Sequence, residues 1–468
     1  MVNEIAVDVC VIGGGPAGST LAARLAQLGH AVCLVERAGF PRPHLGESLS
    51  PGVLPLLEVT GAQDAVEHHG FPRVRSVRVN WDRGPEDRAD PRAQGMLVDR
   101  GAFDRLLLEH ARSLGVTVLQ PAVLRQRQDD GDRWRLRVEL PGRALRIRAS
   151  LLADAAGRKA ALPGQRRSSG CRTLALYCYW RGGRLPIEPR IETGADAWYW
   201  GVPLPDDSYN TLVFVDGRSL RGMGPSDLAE HFHALLRRSG LMEGCDDAVR
   251  PGPVRACDAT PYLDAECVSD RSIKVGDAGL ALDPLSSSGV QKAIQTALAG
   301  AVVVNTTLRR PESAGAARAY YKESLRAAAE RHRGWAAAHY ASAARQRDAR
   351  FWQDRAAGAA PVRMPARPGA AAGSDAGAVA ISHELEVVDL PCIEGEFVVL
   401  RPALRHPRLE EPVAFLGGRA VAPLLRQVRP GITLPELAQA WAGQVPLPSG
   451  LAIAGWMFDL GILVPRCR

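Results

Sequence analysis

The segment Gly13-Gly14-Gly15-Pro16-Ala17-Gly18 has the spacing G-x-G-x-x-G and stands between an apolar run, Ile5 to Ile12, and a helical pattern, Gly15 to Leu28. Glycine at positions 13, 15 and 18, with the small Ala17 among them, lets backbone N–H groups and a helix N-terminus approach a pyrophosphate. Glu36 follows the next apolar run, Ala31 to Val35, with Arg37 beside it. A carboxylate placed there accepts hydrogen bonds from an adenosine ribose. Far downstream, Gly276-Asp277-Ala278 runs on to Asp283-Pro284-Leu285-Ser286-Ser287-Ser288-Gly289. A strand over Ile273 to Val275 that ends in this turn aims the Asp277 carboxylate at a polyol, and a helix from about Gly289 points its N-terminus at an electron-rich pyrimidine edge. Pro284, Ser288 and Gly289 belong to this second binding set. A flavin has such a polyol between ring and phosphates; a nicotinamide nucleotide has none. A third element, Ala153-Asp154-Ala155-Ala156-Gly157-Arg158, ends the run Leu151-Leu152 and brings the backbone close again at Asp154 and Gly157.

The elements that must hold these residues follow from periodicity. Residues 1 to about 160 alternate strand-like and helix-like patterns, which predicts an α/β, Rossmann-like sheet with helical crossovers. Asp99 opens a helix with Phe103, Leu106, Leu107 and Ala111 at helical spacing, Val116 to Leu119 reads as a buried strand, and Arg133 to Leu152 reads as a hairpin across Pro141-Gly142. Val74 to Trp81 and Cys171 to Val215 are rich in β-branched and aromatic residues and predict an antiparallel sheet that roofs a pocket. An FAD-binding domain within 1–355 (about 1–72, 99–170 and 250–355) is therefore interleaved with a substrate-domain sheet (about 73–98 and 171–249). Residues 356–380, mostly Ala, Gly, Pro and Arg, read as a linker. Residues 381–468 form a small winged-helix-like unit, with strands at Leu385 to Val388, Phe397 to Leu400 and Val413 to Leu416 and helices starting near Ala420, Thr433 and Ser449.

Composition excludes several classes. With 46% apolar and 23% charged residues over 468 positions, the chain is an ordinary globular protein and not a disordered one. The net charge of +7 is carried by arginine, since Lys159, Lys274, Lys292 and Lys322 are the only lysines. No basic patch interleaved with aromatics points to nucleic acid. Nine cysteines lack metal-ligand spacing, so no metal site is expected and a reducing compartment is. With no basic and apolar leader, and no apolar run near ~18 residues, the expectation is a cytoplasmic protein that does not enter a membrane.

The three glycine-rich elements, in this order and spacing, resemble the FAD-dependent aromatic hydroxylase and flavin-dependent halogenase superfamily over roughly residues 5 to 345. The resemblance implies that Gly13, Gly15, Gly18, Glu36, Arg100, Asp154 and Asp277 lie at FAD or its immediate surroundings. The segments Phe40-Pro41-Arg42-Pro43-His44-Leu45-Gly46-Glu47-Ser48-Leu49, Trp198-Tyr199-Trp200-Gly201-Val202-Pro203 and Asp283 to Gly289 look like the halogenase branch, with Val202 where its signature has isoleucine. That branch relies on a lysine after its first helical pair. The corresponding stretch here, Gly70 to Trp81, has arginines and no lysine, and arginine does not shuttle between charged and neutral forms near pH 7. The resemblance then implies oxygen insertion into an aromatic ring, with FAD reduced by NAD(P)H. His44, Glu47 and Ser48 fall on the loop that the resemblance places near the flavin, His44 as an acid/base candidate. Tyr177 and Tyr179 share one face of a strand, and Trp198 and Trp200 one face of another; these four are either a substrate wall or core packing.

The tail, Gly417 to Val464, is similar to small winged-helix domains that bind leader peptides. FAD core, missing lysine and tail together look most like the flavoprotein monooxygenases that make tryptophylquinone cofactors, in particular cysteine tryptophylquinone during maturation of a quinohemoprotein amine dehydrogenase. The resemblance implies a polypeptide substrate, a small subunit of a quinoprotein, docked with help of the C-terminal unit. Two alternatives stand beside it: a hydroxylase or atypical halogenase of a small or carrier-bound aromatic metabolite, and a non-catalytic flavin-binding maturation scaffold.

Overall fold

The computed structural model describes residues 4–89, 94–245, 247–357 and 377–465. They fall into two compact units, Met1–Pro311 with Tyr321–Val362, and Glu312–Tyr320 with Arg363–Arg468.

The first unit is built on two sheets. In the first sheet the strands lie in the order Thr117–Leu119, Val32–Val35, Glu4–Ile12, Arg143–Asp154, Trp134–Leu140, Val123–Asp129, and Ser272–Lys274 also pairs with Arg143–Asp154. The pairs that hold the three glycine-rich elements are parallel. Their apolar ends are buried on both faces, as parallel strands covered by helices require, and Val9, Cys10, Val11, Leu34 and Leu152 have at most a trace of exposure. The expected hairpin over 133–152 is present as Trp134–Leu140 paired with Arg143–Asp154.

The second sheet runs Arg255–Asp258, Thr173–Trp180, Tyr209–Asp216, Trp198–Pro203, Arg190–Thr193, Val77–Asn80, Pro85–Arg88. It is antiparallel except where Val77–Asn80 meets Arg190–Thr193. Side chains alternate between its faces. Leu176, Cys178, Tyr199 and Val213 pack with Phe232, Leu235 and Leu236 of the Pro225–Leu236 helix on one side. Ala175, Trp198, Leu212 and Phe214 pack with Tyr340, Phe351 and Trp352 on the other. The sheet reaches further along the chain than the boundary expected at 249, because Arg255–Asp258 pairs with Thr173–Trp180 from Leu174↔Asp258 to Tyr177↔Arg255.

The second unit has its own core, with Leu404, Val421, Leu437, Trp441, Ala454, Met457 and Ile462 buried together. The hairpin Glu386–Glu394 with Phe397–Arg405 is longer than expected. Of the three helix-like segments, the one near Ala420 is a 3-10 turn, Ala422–Gln427. The other two are α-helices, Leu434–Ala440, started by a Thr433/Glu436 capping box, and Leu447–Asp459. Most of the linker expected over 356–380 lies outside the described residues, and its last residues belong to a strand, Val379–Ile381, paired with Leu463–Pro465.

Candidate flavin site

Two glycines lock the first turn. Gly13 has φ +107°, and a Cβ there would lie 2.5 Å from the Ala155 carbonyl oxygen; a Cβ on Gly18 would lie 1.8 Å from the Gly13 oxygen. Neither position admits another residue without moving backbone. Gly15 differs. It is the N-cap of the Pro16–Gln27 helix, no side chain caps that helix, and a Cβ there would meet only an Arg42 nitrogen at 3.4 Å. Uncapped N–H groups facing open space are what a pyrophosphate needs. Glu36, 5% exposed, binds the loop itself: one oxygen accepts from Gly14 N at 2.6 Å and the other from Ala38 N at 2.8 Å. Each oxygen keeps a further acceptor direction for a ribose hydroxyl. Arg37 is exposed beside it.

The second segment packs directly on the first. At Gly276 (φ +60°) a Cβ would lie 2.8 Å from the Cβ of Ala17, and its N–H donates to Thr296 Oγ1 at 2.8 Å. The Gly289–Arg309 helix is also uncapped by any side chain, and space at Gly289 is open within 4 Å. Ser288 bonds to Ser286 at 2.6 Å, and Pro284 opens a short turn whose Leu285 N–H is capped by Asp283. By contrast the Arg100–Ser113 helix is capped by Asp99, which accepts from Ala102 N.

Asp277 is half-buried and held by two cations, Lys292 Nζ at 2.6 Å and Arg158 Nε at 3.7 Å. Burial pushes its carboxyl up, but Lys292 and Arg158 outweigh this and hold it below the ordinary carboxylate range. Lys292, 4% exposed, also bonds to the Leu280 carbonyl. It went unrecognised in the sequence; the available signal was its rarity, a lysine where this chain nearly always uses arginine. Asp154 is set differently. It is fully buried, and its oxygens accept from Ala156 N at 3.0 Å, Ala161 N at 2.7 Å and Leu162 N at 2.8 Å. It therefore shapes the turn that carries Gly157 (φ +68°) and has no oxygen turned outward to a ligand.

Arg100 is likewise held by the protein itself. Its guanidinium is tied to Asp104 at 3.0 and 3.2 Å and to the Leu45 carbonyl at 2.6 Å, so it anchors the 44–46 loop to its helix. Arg42, bound to the same Asp104 at 3.3 Å, is the guanidinium beside Gly15. On the loop, His44 is exposed and bonds only to the Leu45 carbonyl, at 2.8 Å. Ser48 pairs with Leu97. Glu47 is 3% exposed and reaches the second sheet, where Tyr179 Oη and Asn210 Nδ2 donate to it at 2.8 and 3.1 Å. Tyr177 stands edge-on to Tyr179, with ring centroids 6.2 Å apart. Tyr177 and Trp200 are half-buried against the same cluster as Leu45 and Leu285, so both flavin-side loops converge on this aromatic face. Trp198 is core: it is stacked on Phe214 at 3.7 Å and is 2% exposed. Asp283 joins that face through Tyr340, whose hydroxyl donates to it at 3.0 Å.

Two uncapped helix N-termini, an aspartate between cations and a carboxylate at the end of the Val32–Val35 strand fit FAD in an extended form. A family model described as an FAD binding domain matches residues 6–168, and one described as tryptophan halogenase matches residues 89–369. The chain belongs to the tryptophan halogenase family. This flavin-dependent halogenase and monooxygenase group consists of FAD-dependent oxidoreductases. A tryptophan 2-halogenase of Chondromyces crocatus is 32% identical over 338 residues, 67% of this chain and 64% of that protein, so the chain spans under two thirds of this relative. The peptidyl tryptophan dihydroxylase QhpG, essential for tryptophylquinone cofactor biogenesis, is 27% identical with a TM-score of 0.75, over 98% of this chain and 100% of the other. The flavin-dependent halogenase CmlS shares the fold at a TM-score of 0.78, with 22% identity over 98% and 96% of the two chains. Among the described residues no cluster fit for a metal occurs, and no helix is long and apolar enough to cross a membrane.

Proposed function

We propose that this family member is a monooxygenase that hydroxylates an aromatic ring, a tryptophan held in a polypeptide, in the biogenesis of a tryptophylquinone cofactor. The observation that carries this reading is the stretch 70–81, which has arginine and no lysine; its Arg78 is turned to the surface and bound to Asp87 at 3.0 Å. The likeness to a peptidyl tryptophan dihydroxylase over nearly the whole of both chains supports it. Bound FAD, reduced by NAD(P)H, supplies the activation of O2 for insertion into an electron-rich ring. The chain's own residues bind and seal. Gly15, Gly289 and their helices receive the phosphates and the pyrimidine edge, Glu36 the ribose and Asp277 the polyol. Tyr177 and Trp200 form the wall against which the ring lies and from which water is excluded. Glu47 is the acid/base group on the loop side, since it is the buried carboxyl that the second sheet holds in place. The setting is cytoplasmic on this reading, where cysteines stay reduced.

The C-terminal unit, winged-helix-like in the sequence reading, docks the polypeptide, a small quinoprotein subunit. Deleting residues 381–468 should leave FAD bound and abolish turnover of the polypeptide; full turnover by the shortened chain would remove the docking role. A second reading, an atypical halogenase or hydroxylase of a small or carrier-bound aromatic, is favoured by the relative named as a tryptophan 2-halogenase. Product mass separates the two. A flavin-binding scaffold would not oxidise NAD(P)H faster when substrate and O2 are present.

A further inference from the structure

One face of the second sheet changes character along its length. Trp198 and Phe214 lie at its apolar end, and Tyr177, Tyr179 and Asn210 at its polar end, where Tyr179↔Asn210 are direct cross-strand partners and Tyr177 lies opposite Arg255. The polar end receives a side chain from the flavin-side loop, Glu47, across 132 and 163 residues of sequence. The two oxygens of that carboxyl are treated differently. Oε1 accepts from two side chains of the sheet, Tyr179 Oη at 2.8 Å and Asn210 Nδ2 at 3.1 Å, whereas Oε2 is met by the backbone, with Gly46 N donating at 2.9 Å. A carboxyl oxygen with two donors aimed at it has both acceptor directions filled and no room for a proton.

We propose that Tyr179 and Asn210 are positioning residues that keep Oε1 of Glu47 as an acceptor and leave Oε2, on the loop side, as the atom that gains and loses the proton. This rests on the hydroxylase reading, in which the hydrogen at the attacked ring carbon leaves as a proton while its electron pair returns to the ring; Oε2 takes that proton and passes it to solvent. Burial raises the proton affinity of Glu47, while Tyr179, the backbone N–H groups of residues 46 and 47 and the Arg100 charge oppose that rise. The other titratable groups facing it are Tyr177, bonded to Arg255, and Cys257, both of which sense its charge.

Removing a donor to the ionised form raises a carboxyl's proton affinity. Tyr179→Phe and Asn210→Leu should therefore each move the Glu47 titration upward, on the order of one pH unit, and carry the lower limb of the hydroxylation pH profile with it. The direct readout is infrared difference titration of the FAD-loaded enzyme, following the protonated-carboxyl band that Glu47→Gln lacks. It needs no turnover, so it decides the inference even if the polypeptide proves not to be the substrate. An unmoved band in both variants, each with FAD retained, overturns the proposal. So does a pH profile that stays in place while only the maximal rate falls, since that is what loss of packing alone produces.

Discussion

Asp154 and Asp277 stand at the same edge of the central sheet: Asp154 pairs in register with Lys274, three residues before Asp277. Both follow a buried strand and precede a small-residue turn, so their sequence contexts look alike. Their surroundings separate them. Asp154 is enclosed by backbone N–H groups of its own turn, while Asp277 is half-exposed between Lys292 and Arg158. A carboxylate satisfied by its own backbone builds a loop; one satisfied on a single side by cations keeps a free direction for a ligand. The difference shows that a motif locates a carboxylate, and only the groups around it decide whether it binds or folds.

The largest effect is expected at Asp154. Asp154→Ala leaves three N–H groups without their acceptor, that of Leu162 buried and those of Ala156 and Ala161 partly so, which should cost about 3 kcal/mol and lower the unfolding midpoint of apo- and FAD-loaded protein alike. A specific loss of FAD with stability unchanged would erase the distinction. At Asp277 the expected order is reversed. Asp277→Ala should weaken FAD retention by about 1.5–3 kcal/mol through loss of a charge-assisted hydrogen bond, read by fluorescence on dialysis, and it should also leave Lys292 buried without its partner. Adding Lys292→Met should then restore the apo-protein's unfolding midpoint and leave FAD retention poor. Recovery of FAD binding in the double variant would show that Asp277 serves the fold alone.

The smallest effect is in pH dependence, where the two aspartates should have opposite signs. The lowered proton affinity of Asp277 means that its stabilisation is complete above the ordinary carboxylate range and lost as pH falls through its own lower value. For Asp154, burial dominates the backbone donors and raises the value; its contribution is complete below the ordinary range and lost as pH rises through the raised one. Urea unfolding across acidic pH, wild type against Asp277→Asn and Asp154→Asn, should show opposite changes of slope. Parallel slopes would contradict the assignment.

What was legible in the sequence was local. The helix at Asp99, the hairpin across Pro141-Gly142 and the glycine-rich turns depend on neighbours a few residues apart, and the structure has them at Arg100–Ser113 and Trp134–Asp154. What stayed hidden depends on contacts between distant segments: Tyr179 and Asn210 meeting Glu47, Arg100 bound to the 44–46 loop, Trp198 stacked in the core while Trp200 stays half-buried. Period-2 alternation puts Trp198 and Trp200 on one face and says nothing of where along it the core ends. Lys292 was hidden for another reason, since a buried cation in an amphipathic helix has no sequence pattern of its own.

The most direct test is intact-mass analysis of a tryptophan-bearing subunit of a quinoprotein incubated with the enzyme, FAD, NAD(P)H, O2 and halide. The expected result is a gain of oxygen on the polypeptide that requires NAD(P)H and O2 and carries no halogen isotope pattern. Halogen on the polypeptide, or an unchanged mass while a small aromatic is modified instead, would contradict it.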